Sequence, residues 1–461
     1  MASESGKVTT KKTVGQETVD KTTAAKKVTK TVKKENTVYI VDGSRTPFLK
    51  ARGRPGPFHA VDLAIAAARP LLLRQNFVAT EFDQVILGCV APGPNEANIA
   101  RVAALRLGCG EKVPAFTVQR NCASGMQALD CAFHDIAAGR SDLILAGGVE
   151  AMSHSPLLFK EAMVHWLADF NTAKTMLEKA KVITQLRAHF FTPIIGLLRG
   201  LTDPVIGFSM GHTAEEIAHR FSISREQMDA YAVQSHQRLH AAQAAGYLDE
   251  IEVLYDSHGK FYEHDDGVRA DSSIEKLAKL KSVFDKIFGS VTAGNSAQIT
   301  DGAAWLILAS ETAVKKYDLP VMGKITDSEW AGLAPSQMGL GPAHAIAPLL
   351  KRNKFTIEDI DYWEINEAFA AQVIAVTEAL KDKKYCQEEL QLSAAVGQIA
   401  SERLNIDGGG VSLGHPVGAS GARIVLHLLH VLKRTQSKRG VAALCIGGGQ
   451  GGAMMIERES V

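Results

Sequence analysis

The sequence predicts an α/β fold of two similar halves, with a mainly helical segment inserted into the first. Three observations carry this reading. Short apolar runs without polar alternation recur between helical patterns, which indicates a parallel sheet covered by helices on both faces. Residues 159–286 then change texture, becoming richer in charge, Met and His and in amphipathic helices. A second strand-and-helix series follows to the C-terminus. The boundaries are a tail at 1–36, a first half at 37–158 completed by 287–316, the insertion at 159–286, and a second half at 317–461.

Each element follows from local pattern. Val38–Val41 reads as a buried strand ending in the turn formers Asp42-Gly43-Ser44, and Ala60–Leu73 has helical periodicity. Gln84–Val90 and Ala115–Val118 are the next strands. Met126, Leu129, Phe133 and Ile136 recur at helical spacing, so a helix spans Ala123–Gly139 with Cys122 at its mouth. Asp142–Ala146 is a strand closed by Gly147-Gly148. In the remainder, strands are expected at Trp305–Leu308, Tyr362–Ile365, Gly440–Ile446 and Ala453–Ile456.

Composition bounds the function. The 461 residues carry a net charge of +1, with 46% hydrophobic and 22% charged residues, as in ordinary globular proteins. This balance gives no electrostatic case for nucleic acid as a partner. The six cysteines show neither zinc-type C-x-x-C spacing nor a disulfide framework, so a metal site is not expected and a reducing compartment is. The tail holds nine Lys against four acidic residues and almost no large apolar ones, and is expected to be disordered. Within the insertion, Val182–Leu201 carries Phe190, Phe191, Ile194, Ile195, Leu197 and Leu198, broken by Arg187, Pro193 and Arg199. That excludes a comfortable membrane span. It is read as a packed helix pair, with a membrane-surface contact, a subunit contact or a wall for an acyl chain as sharper alternatives.

Three residues stand out chemically. Cys122, in Asn121-Cys122-Ala123-Ser124-Gly125, sits at a strand-to-helix junction where the helix dipole lowers a thiol pKa and backbone N–H groups can hold an oxyanion. His415 lies in the glycine-set run Ser412–Gly421, where glycines permit close ligand approach. Cys445 ends a strand before the run Gly447–Gly452, which leaves its thiol and neighbouring N–H groups facing a cavity. That run lacks the phosphate-loop Lys and is followed by a strand. One sulfur nucleophile, one imidazole and one sulfur acid/base suit carbon–carbon bond chemistry on a thioester. Asn366, at the end of a strand, either positions a water or caps a helix starting at Glu367. Cys89, Cys109, Cys131 and Cys386 are read as core.

The stretches NCASG, GGVEAMS, MGHTAEE, VTAGNSAQITDGAA, NEAFA, SLGHPVGASGA and CIGGGQGGA together resemble the thiolases in order and spacing, over all but the tail. The long insertion is most similar to the β-subunits of trifunctional complexes. The resemblance implies a layered α-β-α-β-α core. It implies Cys122 as the acylated nucleophile and His415 as the base that takes its proton. Cys445 would be the acid/base toward acetyl-CoA and CoA, Asn366 would hold a water in one oxyanion hole, and the N–H groups of Cys122 and Gly447 would form the other. Implied CoA contacts fall on Met210, Arg269, Leu280, Phe284, Ala293, Met338, Ala368 and Phe369. Many thiolases have Ser where this chain has Ala297, so Ser296 is a candidate to replace its hydrogen bond. Many trifunctional β-subunits have His where this chain has Asn366, which leaves a stand-alone degradative enzyme open.

The implied activity is cleavage of medium- or long-chain 3-ketoacyl-CoA by CoA in β-oxidation, with CoA as co-substrate and no metal or redox cofactor. The implied partners are a second copy, as homodimer or homotetramer, and a hydratase/dehydrogenase α-subunit, with a peripheral membrane contact as a further reading. The expected compartment is the bacterial cytoplasm or, in a eukaryote, the mitochondrial matrix. An acetoacetyl-CoA thiolase and a non-catalytic CoA- or lipid-binding subunit remain as alternatives. A ketosynthase is disfavoured, because that relative lacks the cysteine found here at Cys445.

Overall fold

The computed structural model describes residues 36–459. The expected disorder of the 1–36 tail therefore falls outside the described residues, apart from Asn36.

The first half contributes β1 (Val38–Arg45), α1 (Ala60–Leu73), β2 (Gln84–Gly88), α2 (Ile99–Arg106), β3 (Ala115–Val118), α3 (Ser124–Ala137) and β4 (Leu143–Ala151). The insertion follows, including α4 (Met210–Arg220) and α5 (Arg225–Ala244), and β5 (Thr300–Ser310) completes the half. The second half holds β6 (Gly323–Gly332), α6 (Gly341–Asn353), β7 (Tyr362–Ile365), α7 (Ala370–Lys381), α8 (Ser420–Arg434), β8 (Arg439–Ile446) and β9 (Gln450–Arg458).

These strands form one sheet in the order β7-β8-β9-β6-β1-β5-β4-β2-β3, with the short strand Leu49–Lys50 added beside β5. The order and senses repeat. In the first half β2 runs parallel to β4, β4 antiparallel to β5, and β5 antiparallel to β1. In the second, β7 is parallel to β8, β8 antiparallel to β9, and β9 antiparallel to β6. Even the register breaks correspond, one at Ile40/Asp42 in β1 and one at Ile325/Asp327 in β6. The halves join where Val38 pairs Ile325. The expected parallel sheet is thus corrected to a mixed one. The β8–β9 connection is too short for a crossover, so it can only close an antiparallel pair.

Three apolar clusters define the layers. α1 and α2 cover the outer face of the first half, where Leu63, Leu71 and Ile99 share a cluster with Trp305 of β5. α6 and α7 cover that of the second with Ile346, Leu349, Val373 and Val376. Between the inner faces lie α3 and α8, whose Met126, Leu129, Val425 and Leu428 share a cluster with Ile144, Leu306, Leu444 and Met454. The result is the five-layered α-β-α-β-α arrangement.

Two further expectations are corrected. β4 does not stop at Gly147-Gly148 but runs to Ala151. The glycines are there because of close approach. A Cβ on Gly147 would stand 2.2 Å from the Ala304 carbonyl oxygen, and one on Gly148 2.0 Å from that of Gly418. The 182–201 stretch is not a helix pair. It breaks into a helix ending at Thr184, a 3-10 turn at Ala188–Phe191, a short strand Ile194–Ile195 paired to Leu157–Leu158, and a helical turn at Gly196–Gly200. Pro193 and the flanking β-branched residues favour these breaks.

Candidate active site

The turn between β3 and α3 presents Cys122. Asn121 there takes φ 43°, a left-handed conformation that Asn tolerates. Ser124 Oγ donates to the Asn121 carbonyl at 2.7 Å and accepts from the Arg120 N–H at 2.9 Å, fixing the turn. Asn121 Nδ2 donates to the Gly447 carbonyl at 2.9 Å, which ties this turn to the one between β8 and β9. The Gly447 N–H in turn faces the Cys122 sulfur.

The thiol differs from the expectation at one point. Burial raises the Cys122 pKa, and the N–H groups of Gly447 and Cys122 offset only part of that. The helix start does not by itself make a resting thiolate, so Cys122 would need a base to act as a nucleophile. Cys445 lies within electrostatic reach, and burial first, then the neighbouring Cys122, pushes its thiol up as well.

His415 is the candidate base. The loop from Gly414 to Ala419 brings His415 to the N-termini of α3 and α8, and glycines again permit the approach. A Cβ on Gly125 would meet the Gly418 carbonyl oxygen at 2.8 Å, and one on Gly421 the Met126 nitrogen at 2.6 Å. His415 is buried, its N–H donating to the Gln298 carbonyl at 3.0 Å and its Nδ1 lying 2.6 Å from Ser420 Oγ. Burial, then Arg423, lowers its pKa to about 4, so the imidazole is neutral at pH 7 and able to accept a proton. Asn366 Nδ2 sits 3.5 Å from both ring nitrogens, while Asn366 Oδ1 is buried without a partner. Asn366 caps no helix, since α7 starts at Ala370. Its orphaned oxygen suits a small polar molecule beside His415.

Cys122, Asn121, Gly447, Val417 and Met210 line one cavity of about 140 Å³. The rest of its wall is mostly apolar: Val90, Ala91, Met152, Pro156, Leu197 and Leu201. Leu197 and Leu201 come from the inserted apolar stretch, which supports the acyl-wall reading of that segment. Glu150 is the only ionisable carboxyl on the wall and no Lys, Arg or His lines it. Burial raises the Glu150 pKa to about 7, against the N–H groups of Val90, Ala91 and Gly418.

The residues linked to CoA by resemblance fall into two places. Met210, Phe284, Met338, Ala368 and Phe369 share one apolar cluster, with the Phe284 and Phe369 rings edge to face at 6.1 Å. Ser296 pairs Phe369 through a β-bridge, its hydroxyl donating to the Thr292 carbonyl at 2.7 Å. Ala297 donates its N–H to the Ala368 carbonyl at 2.9 Å. Met338 is buried beneath the cluster. Arg269, Leu280 and Ala293 stand apart. The Arg269 side chain is exposed, Leu280 packs at the edge of a smaller cluster, and Ala293 is exposed.

Sequence reasoning passed over the support behind these groups. The buried Glu367 carboxylate accepts from Tyr231, Ser235 and Asn405 side chains and from the Val411 N–H, so the insertion, the Asn366 strand and the loop before His415 meet on one residue. Its signal was a charged residue among apolar ones in NEAFA. Among the described residues, no group of three or more His, Cys, Asp or Glu is arranged to hold a metal ion.

A candidate site with two cysteines and one histidine beside an apolar cavity, at the junction of two repeated α/β halves, suits acyl transfer through a thiol. Residues 38–312 match "Thiolase, N-terminal domain" and residues 319–458 match "Thiolase, C-terminal domain". The chain is 37% identical to the trifunctional enzyme subunit beta, mitochondrial, of Bos taurus, over 93% of this chain and 90% of that protein. It is 38% identical to the beta-ketoadipyl-CoA thiolase of Pseudomonas knackmussii, over 91% and 99% respectively. The crystal structure of human mitochondrial 3-ketoacyl-CoA thiolase in complex with CoA superposes with a TM-score of 0.78 at 34% identity, over 92% of this chain and 98% of that one. The chain belongs to the thiolase family and is an acyltransferase.

Proposed function

We propose that this thiolase cleaves 3-ketoacyl-CoA esters with apolar medium or long acyl chains, using CoA, to acetyl-CoA and a shortened acyl-CoA. One observation carries the chain preference. The cavity beside Cys122 is walled by aliphatic side chains, bears a carboxyl and offers no cation. An acyl group ending in a carboxylate, as the name of the Pseudomonas relative implies, would enter it unpaired and beside Glu150, at a desolvation cost of several kcal/mol. An alkyl chain enters favourably, at about 0.8 kcal/mol per buried methylene.

The reaction proceeds in two halves. His415 takes the Cys122 proton, and the thiolate attacks the 3-keto carbon. The N–H groups of Cys122 and Gly447 are candidates to stabilise one developing oxyanion, and His415 with a molecule held by Asn366 the other. The bond between carbons 2 and 3 breaks, leaving the shortened acyl group on Cys122 as a thioester. The acetyl-CoA enolate takes the Cys445 proton and departs. Cys445 then removes the proton of an incoming CoA thiol, which attacks the acyl thioester. Cys122 leaves as a thiolate and recovers its proton from His415. CoA is the co-substrate and no further cofactor enters this scheme. Six cysteines free of disulfides fit a reducing compartment. The trifunctional relatives support an α-subunit partner, with the exposed Phe191 and Leu198 of the insertion and Leu158 just before it as its contact.

Thiolysis rates on acetoacetyl-CoA, 3-ketoadipyl-CoA and 3-ketohexadecanoyl-CoA test the reading. The highest kcat/KM is expected on the last. A higher value on 3-ketoadipyl-CoA would overturn the chain preference, and turnover of acetoacetyl-CoA alone would favour a short-chain thiolase.

A further inference from the structure

We propose that Ser420 is a positioning residue that holds the His415 proton on Nδ1 and so leaves Nε2 as the base. The inference rests on the role assigned to His415 above, and its argument is a count of protons. Ser420 Oγ is 3.1 Å from the Pro416 carbonyl oxygen, four residues back at the start of α8, the usual partner of a helical serine hydroxyl. The same Oγ is 2.6 Å from His415 Nδ1. A hydroxyl carries one proton. With that proton on the Pro416 oxygen, the short contact to the ring is made by an Nδ1–H donating to Ser420 Oγ.

The surroundings hold the arrangement rigid. Ser420 is fully buried, and Pro416 O also accepts the N–H groups of Ala419 and Ser420. Pro416 has no N–H and a fixed φ, so its carbonyl direction is set by the loop. Asn366 Nδ2 stands 3.5 Å from both ring nitrogens, and its Oδ1 takes no proton from the imidazole. Asn366 thus offers the ring a donor but no acceptor, and Ser420 Oγ is the acceptor at hand for a ring N–H. Without the Ser420 oxygen nothing on α8 selects between the two neutral forms, and the Nε2–H form cannot accept the Cys122 proton at that atom.

Side-chain 15N NMR of histidine-labelled protein reads the tautomer directly. Wild type is expected to show His415 protonated at Nδ1 with Nε2 bare. In Ser420→Ala the His415 signals are expected to move toward the Nε2–H form. Thiolysis should then lose roughly 10- to 100-fold in kcat, part of the roughly 100- to 10,000-fold that a positioned general base contributes, with KM within about twofold. Ser420→Thr, which retains the hydroxyl, should recover at least part of the loss. A wild-type His415 protonated at Nε2 would overturn the proposal whatever the variants do. So would a folded Ser420→Ala protein with unchanged tautomer and kcat. Failure of the thiolase reading itself is distinguishable, because it would abolish turnover in wild type and leave the tautomer untouched.

Discussion

At the scale of single residues, burial governs the charge of the candidate reactive groups. Burial raises the thiols of Cys122 and Cys445 and lowers His415, so none is charged at rest. Base function at His415 should therefore survive to acidic pH. Because the folded pKa of about 4 lies below the unfolded value of about 6.5, the unfolded chain binds the proton more tightly between them. That term lowers stability as pH falls from 6.5 toward 4. His427 has the opposite sign. Burial opposes its charge, but Glu250 and Asp407 on either side win and push its pKa up to about 10. Its contribution is complete below pH 6.5 and is lost as pH rises through 10. Denaturant titrations from pH 6 to 10 should show this decline. In His427→Gln the slope should vanish, at a cost of about 3–5 kcal/mol for leaving buried carboxylates unpaired. A second residue-scale prediction concerns chain length. Leu197→Trp should fill the acyl cavity and lower kcat/KM on 3-ketohexadecanoyl-CoA by about tenfold relative to acetoacetyl-CoA.

At the scale of elements, the strands buried on both faces were legible, and Ala60–Leu73, Ala115–Val118 and Tyr362–Ile365 have the bounds their apolar pattern gives. The misreadings have physical causes. β6 reads Gly-Lys-Ile-Thr-Asp-Ser-Glu-Trp-Ala-Gly, and most of its residues are only half-buried, so it lacks the apolar run of its neighbours. Gly147 and Gly148 look like a strand end, but they are thin places where other backbone passes. Gly148→Ala would drive a methyl group into the Gly418 carbonyl and push the His415 loop away from α3. We expect a loss of about 1–3 kcal/mol by urea unfolding, accompanied by a fall in kcat. In the candidate site, Cys122, His415 and Cys445 could be singled out because tight glycine turns surround them. The supporting Glu367, Asn405, Ser420 and Glu150 were not, since their roles depend on contacts from distant segments.

At the scale of the molecule, two halves of the same topology meet along β1 and β6, and each supplies part of the proposed chemistry. The first half brings Cys122, and the second His415, Asn366 and Cys445. The insertion adds the cavity wall with Leu197 and Leu201 and exposes Phe191 and Leu198, next to the exposed Leu158 that precedes it. Exposed apolar groups gathered in one segment are a recognised mark of an interaction surface. Replacing these three by Glu should leave acetoacetyl-CoA turnover intact and reduce the assembled size on gel filtration with the cognate α-subunit. An unchanged elution volume would remove this face as the subunit contact.

The central claim is that Cys122 carries the shortened acyl chain between the two half-reactions. Intact and peptide mass spectrometry after mixing the enzyme with 3-ketohexadecanoyl-CoA, without free CoA, tests it most directly. The account predicts a tetradecanoyl group on Cys122 alone, released by added CoA and absent from Cys122→Ala. A protein that stays unmodified while cleaving the substrate, or one acylated at another cysteine, would contradict it.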